Sequence, residues 1–386
     1  MKTFIVGAAR TAIGSFQGAL QSQPAPALGV AAAVAALERT RGLVKEQVQE
    51  VFMGQVLQAG VGGSPARQVV MRGGFPSSTE ATTINKVCAS GMKAVMLAAQ
   101  TIALGHAQVM IAGGMESMSN VPYYFPRSPR YGHVQALDGI MHDGLTDVYH
   151  NFAMGNCAEH TAKEYGITRE EQDAYAARSY KLAAAAWEGG AFGDEVVPVE
   201  VKGKKKTVVV DRDEEYTKVQ LERLPSLRPS FQADGTVTAA NSSTLSDGAA
   251  AVVLVNREMK EHCRGSVAAE IISFADAAMD PIDFPIAPAK AMPIALELAG
   301  LRVEDMAKIE INEAFAAVVL ANARLLSLDL ERVNTRGGAV ALGHPLGCSG
   351  ARILVTLLHA LKPGEHGMAA VCNAGGAASA MIVRRL

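Results

Sequence analysis

Hydrophobic positions in the first third of the chain alternate between two spacings. Short, nearly continuous apolar runs are typical of buried strands, and we predict strands at 2–7, 50–54, 81–85 and 108–112. Longer stretches repeat apolar residues at helical spacing, and we predict helices at 25–40, 64–73 and 89–104. Strands that alternate with helices in this way predict an α/β fold.

The predicted helix at 89–104 is apolar almost all round. Its only long polar side chains are Lys93 and Gln100. A helix without a polar face is expected to be buried on every side. Cys88, the residue just before it, is therefore predicted to lie at the start of a central helix.

Residues 118–240 have a different composition, with prolines, tyrosines and histidines at their beginning. We predict amphipathic helices at 158–165 and 169–186, and a charge-rich hairpin at 201–215. An apolar strand at 249–255 then continues the α/β pattern. We interpret 118–240 as an insertion that caps the α/β body.

The last third of the chain repeats the first. We predict strands at 267–273, 307–311 and 368–372, and helices at 288–300, 313–326 and 349–361. In both thirds a cysteine precedes a helix that begins with small residues. The strand that follows then ends in two glycines, Gly113-Gly114 in one case and Gly375-Gly376 in the other. This parallel predicts an internal duplication, with two similar α/β halves.

Composition narrows the classes of function. The chain has 386 residues, of which 49 % are hydrophobic and 19 % are charged, and its net charge is −2. Its isoelectric point is about 6.5. This charge balance gives no reason to expect a nucleic acid or an anionic membrane as the partner. No uncharged apolar run reaches the ~18 residues that a membrane span requires.

The cysteines indicate the expected compartment. Five cysteines lie at scattered positions, without a C-x-x-C pair or a histidine cluster at zinc-binding spacing. An odd, scattered set favours a reducing compartment over a disulfide framework. The chain enters a predicted strand within its first residues, with no signal or transit segment ahead of it. We therefore expect a soluble, cytoplasmic protein.

Cys88 is the first candidate for chemistry. A thiolate at a helix start faces unpaired backbone N–H groups and the positive end of the helix dipole. Both lower the pKa of a cysteine, and this favours a nucleophile at neutral pH. The alternative is that Cys88 is a small buried hydrophobic residue, as free cysteines often are.

Three further residues lie on loops that suit catalysis. His344 lies on a tight loop between Gly343 and Gly347, where a histidine acts as a general base or only bonds neighbouring backbone. Cys372 follows an apolar strand and precedes a glycine-rich turn, and it is either an acid–base group or a structural thiol. Asn312 lies between a strand and a helix, where it is either an N-cap or orients a water or a carbonyl.

These segments together resemble the active-site segments of thiolases. The matching segments are 85–93, 312–316, 343–350 and 372–376. The resemblance covers the whole chain and includes 6–14, 112–119 and 241–250. It implies the thiolase fold, in which two similar βαβαβαββ halves form a five-layer α-β-α-β-α body with an inserted loop domain. We place the N-terminal half at 1–117 together with 241–264, the insertion at 118–240 and the C-terminal half at 265–386.

The resemblance also implies an activity. Segments 154–159 and 283–288 are similar to those of short-chain thiolases, the acetyl-CoA acetyltransferases. These enzymes condense two acetyl-CoA molecules to acetoacetyl-CoA and CoA, or run the reaction in reverse. The implied catalytic residues are Cys88, which takes the acyl group as a thioester, His344, which activates Cys88, and Cys372, which removes the α-proton of the second acyl-CoA.

Two oxyanion sites follow from the same resemblance. Asn312, through a water, and His344 would polarise one thioester carbonyl. The backbone N–H groups of Cys88 and Ala374 would polarise the other. The chemistry agrees with this assignment, because a Claisen condensation needs an acyl carrier, a base for a weakly acidic C–H and two oxyanion sites.

For coenzyme A, the resemblance implies contacts from Leu145, Met154, Phe231, Ser243, Ala314 and Phe315. Ser243 would hydrogen-bond the pantetheine arm, and Phe231 would contact the adenine. Potassium-responsive members of the family imply an ion site formed by Tyr180, Ala239, Ala240, Ser242 and Val340. The chemistry needs no other metal or redox cofactor, and CoA thioesters are the expected substrates. Thiolases are typically homo-oligomers, so we expect a dimer or a dimer of dimers.

Three alternatives remain open. Ala153 stands where short-chain thiolases usually carry a histidine, so the nearest rival is a degradative 3-ketoacyl-CoA thiolase with broader chain length. A decarboxylating ketoacyl synthase would pair its cysteine with two histidines, or with a histidine and an asparagine. This chain instead has Cys372 at the position of the thiolase base, which argues against a synthase. A non-catalytic acyl-CoA-binding module would be expected to lose the nucleophile or the base, whereas every position is filled here.

Overall fold

The computed structural model describes residues 2–127, 131–203, 206–265 and 267–386. The first part of the chain forms most of one half of the body. Its elements are β1 (Phe4–Thr11), β2 (Gly14–Ser15), α1 (Ala25–Glu38), β3 (Thr40–Arg41), β4 (Glu50–Gly54), α2 (Pro65–Arg72), β5 (Glu80–Ile84), α3 (Ser90–Ala103) and β6 (Val109–Ser117). The predicted strands and helices of this region are all present, within a few residues of their expected ends.

The middle of the chain contains short strands and two longer helices. Its elements are β7 (Tyr123–Tyr124), β8 (Leu137–Asp138), β9 (Thr146–Asp147), β10 (Phe152–Ala153), α4 (Met154–Glu164), α5 (Arg169–Glu188), β11 (Val196–Val197), β12 (Val199–Lys202) and β13 (Thr207–Val210). A single π-helical turn covers Met141–Leu145. Helix α5 begins at a capping box, in which Thr168 Oγ1 accepts from the N–H of Glu171 and the Glu171 carboxylate accepts from the N–H of Thr168. The predicted hairpin is formed by β12 and β13, which pair antiparallel.

The remaining elements complete both halves of the body. They are β14 (Ser246–Val255), α6 (Arg257–His262), β15 (Arg264–Gly265), β16 (Ala269–Ala278), α7 (Pro288–Ala299), β17 (Met306–Ile311), α8 (Ala316–Leu326), α9 (Ala339–Leu342), α10 (Leu346–Ala360), β18 (His366–Asn373) and β19 (Ala377–Arg385). The sequence prediction missed β19. This strand is reached through Gly375 and Gly376, both at positive φ, a turn that favours glycine.

The sheet order shows the internal duplication. Among the described residues, the main sheet runs in the order β17-β18-β19-β16-β1-β14-β6-β4-β5. In the first half β14 is antiparallel to both β1 and β6, and β4 is parallel to β6. In the second half β19 is antiparallel to both β16 and β18, and β17 is parallel to β18. The two halves meet where β1 pairs briefly with β16.

Helices and sheet form the five layers that the resemblance implies. Helix α1 packs on β1, β6 and β14, and helix α7 packs on β16, β18 and β19. Helices α3 and α10 pack against each other between the two halves. Every residue of α10 from 346 to 358 is buried, as expected for a central helix. The predicted fold class is therefore confirmed, whereas the limits of 118–240 stay a prediction.

Glycine allows the two central helices to approach closely. A Cβ at Gly91 would lie 2.9 Å from both the backbone N of Ala351 and the backbone O of Gly347. A Cβ at Gly350 would lie 2.7 Å from the backbone N of Met92. Any side chain at these positions would push the helices apart, because backbone atoms cannot move aside individually. The first turns of α3 and α10 are thereby held side by side.

This packing brings the ends of four elements together. Cys88 lies two residues before the start of α3, and His344 lies two residues before the start of α10. Asn312 follows the last residue of β17, and Cys372 is next to the last residue of β18. None of the helices in the described part of the chain is both long and apolar enough to cross a membrane.

Candidate active site

A cavity of about 250 Å³ opens where these elements converge. Its wall contains Cys88, His344 and Ala374. All six of the residues predicted to bind coenzyme A lie in the same wall, namely Leu145, Met154, Phe231, Ser243, Ala314 and Phe315. Most of the lining is apolar and includes Met118, Phe284 and Leu346, residues that sequence reasoning did not assign to the site. A mostly apolar cavity with a few polar groups is the usual form of a small-molecule site.

The loop before Cys88 is strained. Val87 adopts a positive φ of 47°, which is an outlier for a β-branched residue. Side chains on both sides hold this conformation. Asn85 Oδ1 accepts from the N–H of Val87 at 3.0 Å, and Ser90 Oγ donates to the carbonyl of Val87 at 2.6 Å. Ser90 Oγ also accepts from the N–H of Lys86 at 2.8 Å. Strain of this kind is typical of residues that must be aimed at a substrate.

Burial dominates the electrostatics of Cys88. The residue is 8 % exposed, and this burial raises the pKa of its thiol to about 12. The backbone N–H groups of Ala374 and of Cys88 itself hydrogen-bond the sulfur and act in the opposite direction, while the nearby charge of Glu116 adds to the rise. The predicted lowering of the pKa by the helix start is therefore wrong. Loss of solvation outweighs the local N–H groups, so Cys88 is a thiol at neutral pH and needs a base.

His344 is neutral at physiological pH. Burial, assisted by the charge of Arg352, lowers the pKa of His344 to about 3. Its Nδ1 lies 2.6 Å from Ser349 Oγ, and Ser349 Oγ donates to the carbonyl of Pro345 at 3.0 Å. This arrangement makes Nδ1 the protonated nitrogen. Nε2 is buried and has no hydrogen-bond partner among the described residues, so it is the nitrogen left to accept a proton. Sequence reasoning missed Ser349, although it lies within the matching segment 343–350.

Cys372 and Asn312 complete the group. Cys372 is fully buried, and burial together with the charge of Cys88 raises the pKa of its thiol. The two thiols are thus close enough to oppose each other's ionisation. Asn312 Nδ2 lies 3.5 Å from His344 Nδ1, and Asn312 Oδ1 has no partner among the described residues. Asn312 is not an N-cap, because helix α8 begins only at Ala316.

The neighbouring Glu313 has a structural role. Its carboxylate accepts hydrogen bonds from Tyr175 Oη at 2.8 Å and from Ser179 Oγ at 2.7 Å, both on α5. It also accepts from Asn334 Nδ2 at 3.0 Å and from the N–H of Val340 at 3.0 Å. These bonds connect the loop that carries Asn312 to α5 and to α9. A fully satisfied buried network of this kind rigidifies the segments it joins.

Two of the predicted coenzyme A contacts have partners within the protein. Ser243 Oγ donates to the carbonyl of Ala314 at 2.9 Å, so only its acceptor side is left for a ligand. The ring of Phe231 meets that of Phe315 edge to face, with centroids 6.1 Å apart. Phe231 also covers Gly155, where a Cβ would lie 2.3 Å from the ring. The glycine therefore lets this aromatic pair form part of the cavity wall.

The predicted potassium residues are only partly brought together. Tyr180, Ala239 and Ala240 line one pocket, together with Glu215. Ser242 lines the catalytic cavity instead, and Val340 is fully buried. Within the part of the chain that the structure describes, no cluster of three or more histidine, cysteine or acidic residues could hold a metal ion.

The cavity contains the groups that an acyl transfer requires. Its wall has a thiol whose sulfur receives two backbone N–H bonds and a neutral imidazole whose Nε2 has no partner among the described residues. The second thiol, that of Cys372, does not line the cavity but lies close to the first. A thiol with a neighbouring base is the arrangement of an activated nucleophile. Backbone N–H groups at the same sulfur can stabilise the oxyanion of a tetrahedral intermediate.

Comparison with known proteins identifies the class. Residues 3–258 match the family described as "Thiolase, N-terminal domain", and residues 266–385 match "Thiolase, C-terminal domain". The chain therefore belongs to the thiolase family, and it is an enzyme.

Particular relatives are similar over nearly the whole chain. It is 57 % identical to the mitochondrial acetyl-CoA acetyltransferase of Bos taurus over 385 residues, which cover 99 % of this chain and 91 % of that protein. It is 55 % identical to the mitochondrial enzyme of Homo sapiens, with 99 % and 90 % covered. A crystal structure of Acat5 thiolase from Ascaris suum in complex with coenzyme A is 47 % identical, with a TM-score of 0.96 and both chains fully covered. The Bacillus anthracis acetyl-CoA acetyltransferase is 39 % identical, with a TM-score of 0.95, and 100 % of this chain and 99 % of that one are covered.

The expectation of a cytoplasmic protein is wrong. The relatives from Bos taurus and Homo sapiens are named as mitochondrial proteins. The expectation rested in part on the free cysteines, all five of which are buried and unpaired with one another. Free thiols report reducing surroundings and do not specify which reducing compartment holds the protein.

The raised pKa of Cys88 predicts how the thiol reacts with iodoacetamide. Since only the thiolate reacts, we expect the rate constant to rise about tenfold per pH unit between about pH 7 and about pH 9, without a plateau. Mass spectrometry of the peptide that contains Cys88 measures this rate. Cys88→Ala, which lacks the thiol, is the control for modification elsewhere in the peptide. A rate that is independent of pH across this range would show a stabilised thiolate and contradict the electrostatic account.

Proposed function

We propose that the chain catalyses the reversible condensation of two acetyl-CoA molecules to acetoacetyl-CoA and CoA, as an acetyl-CoA C-acetyltransferase. The observation that carries this proposal is the close approach of Cys88 and Cys372 beside one apolar cavity, with the N–H of Ala374 bonded to the sulfur of Cys88. One thiol can carry an acyl group while the other handles a proton. The names of the relatives support the same reaction.

In the first half-reaction, Cys88 becomes acylated. His344 Nε2 accepts the thiol proton, and the sulfur attacks the carbonyl carbon of the first acetyl-CoA. When the tetrahedral intermediate collapses, the bond to the CoA sulfur breaks and His344 returns the proton to that sulfur. CoA leaves, and Cys88 carries the acetyl group. The neutral state of His344 suits this role, because the nitrogen is unprotonated before the thiol is attacked.

In the second half-reaction, Cys372 moves the proton. His344 accepts the proton of Cys372, and the resulting thiolate removes an α-proton from the second acetyl-CoA. The carbanion attacks the carbonyl of acetyl-Cys88, and the bond to the sulfur of Cys88 breaks. His344 then returns its proton to Cys88. An acylated Cys88 is an uncharged thioester, so it cannot be a thiolate at the moment when Cys372 ionises.

Two sites stabilise the oxygen atoms that become negative. The N–H groups of Cys88 and Ala374 meet at the sulfur of Cys88 and would receive the oxyanion of the acyl-enzyme. Asn312, through a water, and His344 would polarise the carbonyl of the second acetyl-CoA. The partnerless Oδ1 of Asn312 and Nε2 of His344 support this assignment, since buried polar atoms normally have partners.

The substrates and the assembly complete the proposal. CoA thioesters enter along the wall formed by the six predicted contact residues, and the reaction uses no resident cofactor. The complex of the Ascaris suum thiolase with coenzyme A supports CoA binding. We propose a homo-oligomer, either a dimer or a dimer of dimers, that acts without nucleic acid or membrane.

Thiolysis of 3-ketoacyl-CoAs of graded length tests the substrate. We expect kcat/KM to be highest for acetoacetyl-CoA and to fall about tenfold or more for each added pair of carbons, because the cavity is small. Ala153→His, which narrows the same wall, should sharpen this preference. Equal kcat/KM values from about four to about sixteen carbons would favour the degradative thiolase instead.

Two cysteine variants separate the half-reactions. After treatment with acetyl-CoA, Cys88→Ala should gain no acetyl group, because the acyl carrier is absent. Cys372→Ala should gain one acetyl group and form no acetoacetyl-CoA, because the proton cannot be removed. Intact mass and peptide mapping measure both outcomes, and Cys263→Ala, a buried cysteine that does not line the cavity, is the control. Acetyl-Cys372 with an unmodified Cys88 would reverse the assignment.

We further propose a potassium ion near Tyr180, where Ala239 and Ala240 line the same pocket. Activity should be higher in potassium than in sodium buffer at equal ionic strength. Tyr180→Phe should reduce this difference, because it removes a hydroxyl that can face the ion. Equal activity in the two buffers would exclude the site.

A further inference from the structure

Glu116 is a buried carboxylate that the proposed reaction does not use. It lies near the end of β6 and is fully buried. Its carboxylate accepts three backbone hydrogen bonds, from the N–H of Val56 at 3.0 Å, of Leu57 at 3.2 Å and of Gly347 at 2.8 Å. Among the described residues it forms no ion pair with a basic side chain. A buried charge held only by backbone N–H groups is costly to maintain, and this suggests a specific role.

The three donors come from two separate segments. Val56 and Leu57 belong to the loop after β4, whereas Gly347 lies in the first turn of α10, three positions after His344. The helix dipole favours a negative charge at that first turn. Gly347 permits the contact, since a Cβ there would lie 2.9 Å from Glu116 Oε2 and 2.7 Å from the Cα of Gln55.

We propose that Glu116 is a positioning residue, whose ionised carboxylate fixes the first turn of α10 and thereby holds His344 in place for proton transfer with Cys88. The carboxylate touches neither of these residues through a hydrogen bond, so it acts through the backbone of 345–347. Protonation would replace an acceptor with an O–H donor that faces N–H groups, and the three bonds could not all persist. This inference rests on the proposed acyl transfer at Cys88.

The charged side chain with the largest effect on the pKa of Glu116 is another carboxylate. Asp247 on β14 adds a negative charge nearby, and the thiols of Cys88 and Cys348 also interact with Glu116. Burial, together with Asp247, raises the pKa of Glu116 to about 7 despite its N–H bonds. The pKa of His344 lies far below this value and that of Cys88 far above it. Glu116 is therefore the group of this site that changes charge near neutral pH.

The test measures acyl-enzyme formation by rapid quench and intact mass between about pH 6 and about pH 9. For the unmodified protein, the acylation rate constant should show an additional fall on the acid side with a midpoint near pH 7, because the protonated fraction of Glu116 grows as the pH drops. A profile without this step would overturn the proposal without any variant. Failure of the proposed function is distinguishable, since no acyl-enzyme would form at any pH.

Variants of Glu116 then show whether this residue causes the fall in acylation rate near pH 7. Glu116→Gln should lower kcat about 10- to 100-fold with KM for acetyl-CoA changed by less than about twofold, and it should lose the step near pH 7. Glu116→Asp keeps the charge and should keep the step at a lower rate. Glu46→Gln, an exposed substitution, is the control and should match the unmodified protein. Glu116→Gln with an unchanged kcat, or with the step retained at the same midpoint, would refute the role.

Discussion

Burial of the ionisable groups near the first turns of α3 and α10 is the constraint on which the proposed chemistry depends. The glycine contacts of the central helices hold their first turns together, and burial then acts on Cys88, Cys372 and His344. It raises the pKa of Cys88 and Cys372 and lowers that of His344, so each group is neutral at rest. A proton that leaves a thiol must therefore pass to a partner in the cavity, and His344 has the free nitrogen to receive it.

The same constraint orders the two half-reactions. Ionisation of either thiol is unfavourable in these buried surroundings. A thiolate at one of them makes ionisation of the other still less favourable. In the proposed reaction the two thiols ionise in turn, because Cys88 is an uncharged thioester when Cys372 gives up its proton. In the proposed reaction, backbone N–H groups that are fixed in place before the substrate arrives stabilise the developing charge.

Local patterns of the sequence predicted the α/β class, and the resemblance to thiolases added the five-layer fold, which is confirmed. Cys88, His344, Cys372 and Asn312 could be named as candidates because each lies in a short segment at the end of an element, and their catalytic roles stay predictions. The prediction of a low pKa for Cys88 was wrong, because it took account of the helix start and not of the burial that distant segments create. Hydrogen bonds between residues far apart in the sequence could not be predicted either. Glu116 bonds residues 60 positions before it and 231 positions after it, and no local pattern encodes such a bond.

A crystal structure of the chain after treatment with acetyl-CoA tests the central claim most directly. We predict an acetyl group on the sulfur of Cys88, with its carbonyl oxygen within hydrogen-bond distance of the N–H groups of Cys88 and Ala374. Cys372 should be unmodified and face the acetyl group. An acetyl group on Cys372, or a carbonyl oxygen turned away from both N–H groups, would contradict the account.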